Sequence, residues 1–198
     1  RYELAQAHYA QGNLDKALNL YKLIDNPTEK ELYTKAKLAI ADIFSKEMDL
    51  DRARAAYQSI ADSAPDFKRD AYLKIAEAYL GKKMYDKAIE AYQNAIDADV
   101  GLSKLTNAEL QFNIGDTYEL LNKPNDAIES YLKIPYLYSS DKSWVTKAYL
   151  RIARIFEDKE DWDNAKLTYQ KIIALGTDEV KFAQERLDWI GSNAGSGN

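Results

Sequence analysis

A pair of short motifs recurs five times along this chain and limits the folds that it can adopt. The first motif is an aliphatic residue, then a small residue, then an aromatic residue three positions further on. Its clear copies are Ile40-Ala41 with Phe44, Ile75-Ala76 with Tyr79, Ile114-Gly115 with Tyr118, and Ile152-Ala153 with Phe156, and Leu4-Ala5 with His8 is an imperfect first copy. The second motif is an alanine followed by a tyrosine one helical turn later: Ala17 and Tyr21, Ala53 and Tyr57, Ala88 and Tyr92, Ala127 and Tyr131, and Ala165 and Tyr169.

The spacing of these motifs predicts pairs of helices. The distance from the small residue to the alanine, as from Ala5 to Ala17, is the same in all five copies, whereas the step from one copy to the next varies. Apolar residues recur at three- and four-residue intervals, which is the period of a helix. Two antiparallel helices leave one face uncovered and stack on the next pair, and small residues let their backbones approach closely. We therefore expect an all-α fold, with its length variation in turns near Pro27, Pro65, Gly101 and Pro135.

The two motifs resemble the tetratricopeptide repeat, whose first helix carries the small residue and whose second helix carries the alanine and the aromatic residue. The resemblance covers about residues 1–175 and includes Pro65 as the frequent terminal proline. It implies a right-handed α-solenoid of five helix-turn-helix repeats, at about 1–27, 31–65, 68–100, 106–138 and 144–176. Thr177 or Asp178 can cap one more helix, so we expect a capping helix at 177–191 and a flexible tail at 192–198.

Two departures from the tetratricopeptide pattern are informative. The usual glycine before the turn inside each repeat is present only as Gly12, and the equivalent places hold Met48, Lys83, Asn122 and Glu160. The longer steps between copies exceed the roughly 34 residues typical of this repeat. Together with the aromatic and serine residues at 136–140, they resemble bacterial cell-envelope repeat proteins of the BamD and YbgF type, mainly over residues 130–190.

Composition narrows the class of partner and the environment. The chain carries 27 basic and 32 acidic residues, a formal charge of −5, and both signs are spread along it. It lacks the one-sided basic footprint of a nucleic-acid-binding protein, so we do not expect nucleic acid as a partner. No apolar stretch approaches the roughly 20 residues of a membrane span, so we expect a soluble protein. The compartment stays open between the periplasm or cell envelope and the cytoplasm.

No pattern in the chain indicates catalysis, a metal or a cofactor. Without cysteine there is no thiol nucleophile and no thiolate zinc site, and the phosphate-loop, dinucleotide-binding and nucleophile-elbow motifs are absent from the sequence. The single histidine, His8, stands in a packing slot of the repeat. Paired carboxylates such as Asp49 and Asp51 fit helix capping better than calcium binding, because they lack the glycine and glutamate of a calcium loop. We therefore expect no catalytic, cofactor-binding or metal-binding residue.

The resemblance places a partner on the concave wall that the first helices line. Positions three before, one after and four after each small residue fall on one side of a helix. In the five repeats they hold Tyr2, Gln6 and Tyr9; Leu38, Asp42 and Ser45; Leu73, Glu77 and Leu80; Phe112, Asp116 and Glu119; and Leu150, Arg154 and Glu157. The first member is always apolar, which predicts an apolar stripe that ends beside Arg151 and Arg154. The sequence does not decide whether this stripe is accessible or is buried against the second helices.

The sequence therefore predicts a non-enzymatic scaffold for protein–protein interaction. We expect its groove to bind a protein or peptide segment that is apolar and carries basic residues, because Asp42, Glu77 and Asp116 edge the stripe. Two alternatives stay open. One is a homo-oligomeric module that assembles with itself, and the other is a regulatory domain of a larger protein.

Overall fold

The computed structural model describes residues 1–98 and 106–193, and these ranges contain eleven α-helices, one short 3-10 helix and no strand. The helices are α1 Tyr2–Ala10, α2 Leu14–Lys22, α3 Lys30–Lys46, α4 Leu50–Ser63, α5 Lys68–Gly81, α6 Tyr85–Ala98, α7 Asn107–Leu120, α8 Pro124–Leu137, α9 Lys142–Asp158, α10 Trp162–Leu175 and α11 Val180–Asn193. The prediction of an all-α fold is confirmed. The expected turn at Gly101 and the part of the predicted tail at 194–198 lie outside the described residues, while Ser192 and Asn193 belong to α11.

The chain divides into two compact units, of which the first ends at residue 104. Within this unit each helix packs against the next along the chain, so that α1 to α6 form three helix pairs. The small residues expected where helices cross are each 0% exposed: Ala5, Ala41, Ala76, Ala17, Ala53 and Ala88. The tyrosine of each second motif is buried beside them, because a planar ring fills the space that an alanine leaves between two helices.

The second unit begins at residue 105 and holds two helix pairs, with α11 packed against α10. Its core repeats the pattern of the first unit, since Ala127, Ala153 and Ala165 are fully buried. Gly115 takes the place of an alanine for a steric reason. A Cβ atom there would lie within 2.7 Å of three ring carbons of Tyr131, which is closer than van der Waals contact allows.

The turn inside each repeat has a residue in the left-handed region. The position that the tetratricopeptide pattern gives to glycine has a positive φ in all five repeats: Gly12 at 78°, Met48 at 61°, and Lys83, Asn122 and Glu160 at 56°. The sequence places a capping residue just after this turn. Asp49 and Asp161 do accept a hydrogen bond from the backbone of α4 and α10, whereas Asn13 makes no such bond to α2.

The second and fifth repeats share one register. Helices α3 and α9 each have 17 residues, α4 and α10 each have 14, and α5 and α11 each have 14. Lys30 begins α3 and Lys142 begins α9, and residues counted onwards from these two lysines correspond one to one through the three helices. We call this correspondence the shared register. Helix α11 is therefore the counterpart of α5, and its Arg186 stands where α5 has Lys74.

None of the described helices has the length and apolar character needed to cross a membrane.

Candidate partner-binding site

The structure places the predicted groove residues of the first unit partly against the second helices. Tyr2 and Leu38 are half-buried, and Leu73 is 6% exposed. The ring of Tyr2 packs edge-on against Tyr21 of α2, with 5.5 Å between the ring centres. In this unit the apolar stripe is therefore partly or fully buried, most completely at Leu73.

The polar groove positions of the first unit have partners within the chain. The hydroxyl of Tyr57 donates a hydrogen bond to Oδ1 of Asp42 over 2.5 Å. Burial raises the pKa of the Asp42 carboxyl, and the Tyr57 hydrogen bond and the Lys74 charge oppose that rise. Lys74 also forms an ion pair of 2.9 Å with Glu77. The acidic edge predicted here is therefore largely engaged inside the unit.

The remaining groove residues of this unit are near its surface. Gln6 is exposed, and Tyr9 and Leu80 are half-buried. The amine of Lys46 lies 3.8 Å from the centre of the Tyr9 ring, which is a cation–π distance. The helices therefore bring these side chains to one unit, with Gln6 the most exposed of the three.

In the second unit, Phe112 is held between two other aromatic rings. Its ring centre is 5.1 Å from that of Tyr131 in α8 and 5.3 Å from that of Trp144 in α9. The guanidinium of Arg151 lies 5.9 Å from the same ring. Phe112 is half-buried and acts as packing between helices, as Leu73 does in the first unit.

The acids next to Phe112 are bonded from two sides. The hydroxyl of Tyr131 lies 2.5 Å from Oδ1 of Asp116 and 2.5 Å from Oε1 of Glu119, and Arg151 donates to Asp116 over 2.8 Å. Burial raises the pKa of the Tyr131 hydroxyl above its ordinary range, and the two carboxylates add to this effect. The cluster is a closed network of one phenol, two carboxylates and one guanidinium.

The last predicted groove residues line a cavity of about 520 Å³ in the second unit, which we call the α9–α11 cavity. Its walls come from α9, α10 and α11: Leu150, Arg151, Arg154, Glu157, Asp158, Tyr169, Phe182 and Arg186. Phe182 is 48% exposed and packs edge-on against Tyr169. The side chain of Arg154 is 68% exposed, and its nearest carboxylate, that of Asp158, is 3.9 Å away.

Glu157 accepts hydrogen bonds from two other residues that line this cavity. Arg186 donates to its Oε1 from Nε over 3.0 Å and from Nη2 over 2.9 Å, and the Tyr169 hydroxyl donates to the same oxygen over 3.0 Å. Burial, with the nearby Glu157 charge, raises the pKa of Tyr169 to about 12. These bonds join α10 and α11 to α9 through one carboxylate oxygen.

The groove that we predicted from spacing omitted the α11 side of the cavity. Phe182 and Arg186 belong to α11, to which the sequence assigned only a capping role. The shared register aligns Arg186 with Lys74, whose charge acts on the groove acid Asp42. This alignment is the signal that a basic residue at position 186 lies close to an acid of the neighbouring first helix. Phe182 aligns with Asp70, so no pattern in the repeats marks it. In residues 1–98 and 106–193, no group of three histidine or acidic side chains is arranged to hold a metal ion.

Two family models match the sequence. The model described as soluble NSF attachment protein matches residues 70–180, which is more than half of the chain. A tetratricopeptide repeat model matches residues 35–66. No curated protein shows significant sequence similarity to the chain.

Several solved structures share the fold at low sequence identity. A crystal structure of MamA protein has a TM-score of 0.63 at 18% identity and covers 91% of this chain and 92% of its own. Nearly identical TPR-like repeats from Podosopora anserina give a TM-score of 0.60 at 12% identity, over 88% of this chain and 92% of theirs. The pilF protein of Pseudomonas aeruginosa gives 0.56 at 18% identity, over 97% and 83%. At these identities the matches show a shared tetratricopeptide-type fold.

Proposed function

Because this chain belongs to the soluble NSF attachment protein family and is built from tetratricopeptide repeats, we propose that it is a non-enzymatic scaffold that binds a protein or peptide segment. Proteins of this repeat type generally serve as protein-interaction scaffolds, and the matching family is described as an attachment protein. The finer assignment to the BamD and YbgF type stays a prediction from the sequence. The binding surface with the strongest support is the α9–α11 cavity.

The observation that carries this choice is the exposure of Phe182. Phe182 is 48% exposed at the wall of a concave site that Leu150 and Tyr169 also line. Its exposed apolar surface can be buried favourably by a partner. Pockets that combine such area with a few polar groups are the usual binding sites of proteins. Leu73 and Phe112, which hold the same stripe position as Leu150 in their repeats, are buried or half-buried inside their own units.

The charge of the partner is the second part of the proposal. The sequence predicted a segment that is apolar and carries basic residues. Asp42 and Asp116 do not line the α9–α11 cavity, and both already accept hydrogen bonds from tyrosines, so they attract a basic partner less than free carboxylates in the cavity would. Apolar contact is therefore proposed to supply most of the affinity. Raising the salt concentration from about 0.05 to 0.5 M should change affinity less than roughly tenfold.

Site-specific photo-crosslinking tests the location. A photoreactive phenylalanine analogue replaces Phe182 in one variant and Leu167 in the other; Leu167 is 55% exposed on α10 and does not line the cavity. In extract of the source organism we expect a discrete crosslinked partner at position 182 and none at position 167. Crosslinking of the same partner only at 167 would contradict the proposed site.

The same experiment separates the proposal from self-assembly. A crosslinked product with twice the mass of the chain, formed with purified protein alone, would favour the homo-oligomeric alternative. The variant Phe182→Ala should lose the partner. It is a suitable control because the Phe182 side chain is half-exposed, so its removal should not disturb the core. Charged substitutions at Leu73 or Phe112 would disturb helix packing and could not separate binding from folding.

A further inference from the structure

A second cleft, of about 530 Å³, lies in the first unit between the two helices of the second repeat. Its walls come from the first half of α3, the end of α4 and the short 3-10 helix Pro65–Phe67 that follows α4. We call it the repeat-2 cleft. None of the groove residues predicted from spacing lines it, and it shares no residue with the α9–α11 cavity.

The repeat-2 cleft has an apolar floor and a few polar groups at its edge. Ile60 and Phe67 are 1% and 5% exposed and form the floor. Thr34 is 7% exposed, and its hydroxyl has no hydrogen-bond partner among the described residues. The amine of Lys37 lies 4.3 Å above the ring of Tyr33 at the rim. A mostly apolar pocket with few polar groups is the usual form of a ligand site.

The fifth repeat shows what can occupy this space. In the shared register, Ser63, Thr34 and Lys30 correspond to Leu175, Thr146 and Lys142. In the fifth repeat, Leu175 packs against the core cluster of the second unit. The Thr146 hydroxyl bonds the Thr177 hydroxyl over 3.2 Å, and the Lys142 amine donates to the main-chain oxygen of Leu175 over 3.4 Å.

The second repeat, in the residues that the structure describes, lacks the leucine side chain and both of these hydrogen bonds. Ser63 supplies only a hydroxymethyl group where the fifth repeat has the leucine side chain, and its Oγ bonds to the main-chain oxygen of Ser59. The chain also leaves α4 differently, because Ala64 has φ −131° whereas Gly176 has φ +67°. The threonine and lysine of the cleft are thus kept, but Pro65 stands where the fifth repeat has the Thr177 hydroxyl. Among the described residues Lys30 does not bond the main-chain oxygen of Ser63 as Lys142 bonds that of Leu175.

Charge at the rim indicates the polar part of an occupant. Lys30 and Lys37 line the cleft together with Glu31 and Asp66. Glu31 is paired with Lys35 over 2.5 Å, so its charge is already engaged. Two lysines then face one remaining carboxylate, and the rim favours an added negative group.

We propose that the repeat-2 cleft binds a peptide segment that presents a leucine-sized aliphatic side chain next to a carboxylate. The aliphatic side chain takes the space that Leu175 fills in the fifth repeat. The Thr34 hydroxyl bonds a polar group of the segment, as the Thr146 hydroxyl bonds that of Thr177, and Lys30 and Lys37 face the carboxylate. This site is independent of the proposed groove function, so either can fail alone.

The test uses N-acetyl-L-leucine as the probe, with amide chemical shifts of the isotope-labelled full chain as the readout. We expect saturable shifts confined to residues 30–37 and 60–67, with a dissociation constant on the order of 1 mM for a probe of about twelve non-hydrogen atoms. N-acetyl-L-alanine and N-acetyl-L-leucinamide should each bind at least roughly threefold more weakly, because each lacks one half of the recognised chemistry. No saturable shift in these residues, or equal shifts with all three probes, overturns the proposal.

Two variants link the signal to the cleft. Ser63→Leu introduces the side chain that the fifth repeat has at this place and should abolish the shifts while leaving helicity unchanged. Ser59→Leu, one turn earlier on exposed surface of α4, is the matched control and should bind like the parent. Thr34→Val keeps the volume of the side chain and removes the hydroxyl, so it should weaken binding several-fold.

These variants also identify other occupants. Unchanged probe binding in Ser63→Leu would place the probe elsewhere and overturn the proposal. Shifts of residues 30–37 that grow with protein concentration in the absence of probe would identify a second copy of the chain as the occupant and would overturn it as well. Because Thr34→Val needs no repacking, it keeps the test decisive if Ser63→Leu fails to fold.

Discussion

Arg151 of α9 donates a hydrogen bond from Nη2 to Oδ1 of Asp116 in α7 over 2.8 Å, and thereby joins the first helices of two successive repeats. Its Nε lies 3.7 Å from Glu119. Asp116 also accepts from Tyr131, which belongs to the second helix of its own repeat. The arrangement links three helices of the second unit through one carboxylate.

The first prediction concerns this link. Arg151→Ala should lower the free energy of unfolding of the second unit by about 1 kcal/mol, because both partners keep about a third of their side-chain surface in water, which screens the pair. Urea unfolding followed by circular dichroism measures the change. Arg154→Ala is the control; its 3.9 Å pair is mostly exposed, so it should change stability by less than about 0.5 kcal/mol. Equal effects of the two variants would show that the Asp116 link adds nothing.

The second prediction concerns Gly115. Gly115→Ala should destabilise the chain by about 1–3 kcal/mol, because the new methyl group overlaps the ring of Tyr131, which is fully buried and held at its hydroxyl. Gly191→Ala is the matched helical control; a Cβ there has nothing within 4 Å, so stability should stay the same or rise by up to about 1 kcal/mol. Thermal unfolding of both variants checks the difference. A neutral Gly115→Ala would mean that the Tyr131 ring can shift without cost.

The third prediction concerns the turns inside the repeats. Lys83 and Glu160 have φ 56°, and a side chain in this region costs about 1 kcal/mol or more. Lys83→Gly and Glu160→Gly should each stabilise the chain by about 0.5–1 kcal/mol, even though glycine loses more entropy on folding. Glu47→Gly is the control, since Glu47 precedes the turn residue of the second repeat with φ −75° and glycine should be destabilising there. Chemical denaturation of the three variants decides between these signs.

The fold could be predicted from the sequence because the constraints that determine it are local and recur in every repeat. A fixed distance between Ala41 and Ala53, present in every repeat, follows from two helices that cross at small residues, and it sets the helix pairs directly. The turn position of Glu160 was also visible from its equivalence with Gly12, and the structure gives both a positive φ. Such features need no knowledge of distant contacts.

The candidate site could be predicted only in part, because it depends on which side chains meet after the helices have packed. Asp42 and Asp116 were expected to face a basic partner, yet each accepts a bond from a tyrosine in the second helix of its own repeat. Nothing in the spacing of acids reveals that the tyrosine hydroxyl reaches the same side of the first helix. The repeat-2 cleft likewise depends on differences between repeats, such as Ser63 in place of Leu175 and Ala64 in place of Gly176, which matter only once their common register is known.

The last prediction uses the buried carboxyl of Asp42. Burial raises its pKa in the folded chain above the value in the unfolded chain, despite the Tyr57 hydrogen bond and the Lys74 charge. A raised pKa means that the stabilising contribution of this group is complete only below the unfolded pKa and is lost as the pH rises through the folded pKa. At pH 7 the ionised carboxylate is therefore a net cost, because it has been taken out of water.

Asp42→Asn should consequently unfold at a higher urea concentration than the parent chain at pH 7, because the amide oxygen can still accept from Tyr57 and carries no charge. The difference should shrink as the pH falls through the folded-state pKa of Asp42, because the parent then becomes protonated at this site. Glu31→Gln supplies a control of opposite sign, because the hydrogen bond from Lys35 lowers the pKa of Glu31, so any stability from that carboxylate is present at pH 7 and is lost in acid. A less stable Asp42→Asn at pH 7 would show that Tyr57 and Lys74 stabilise the carboxylate by more than its burial costs.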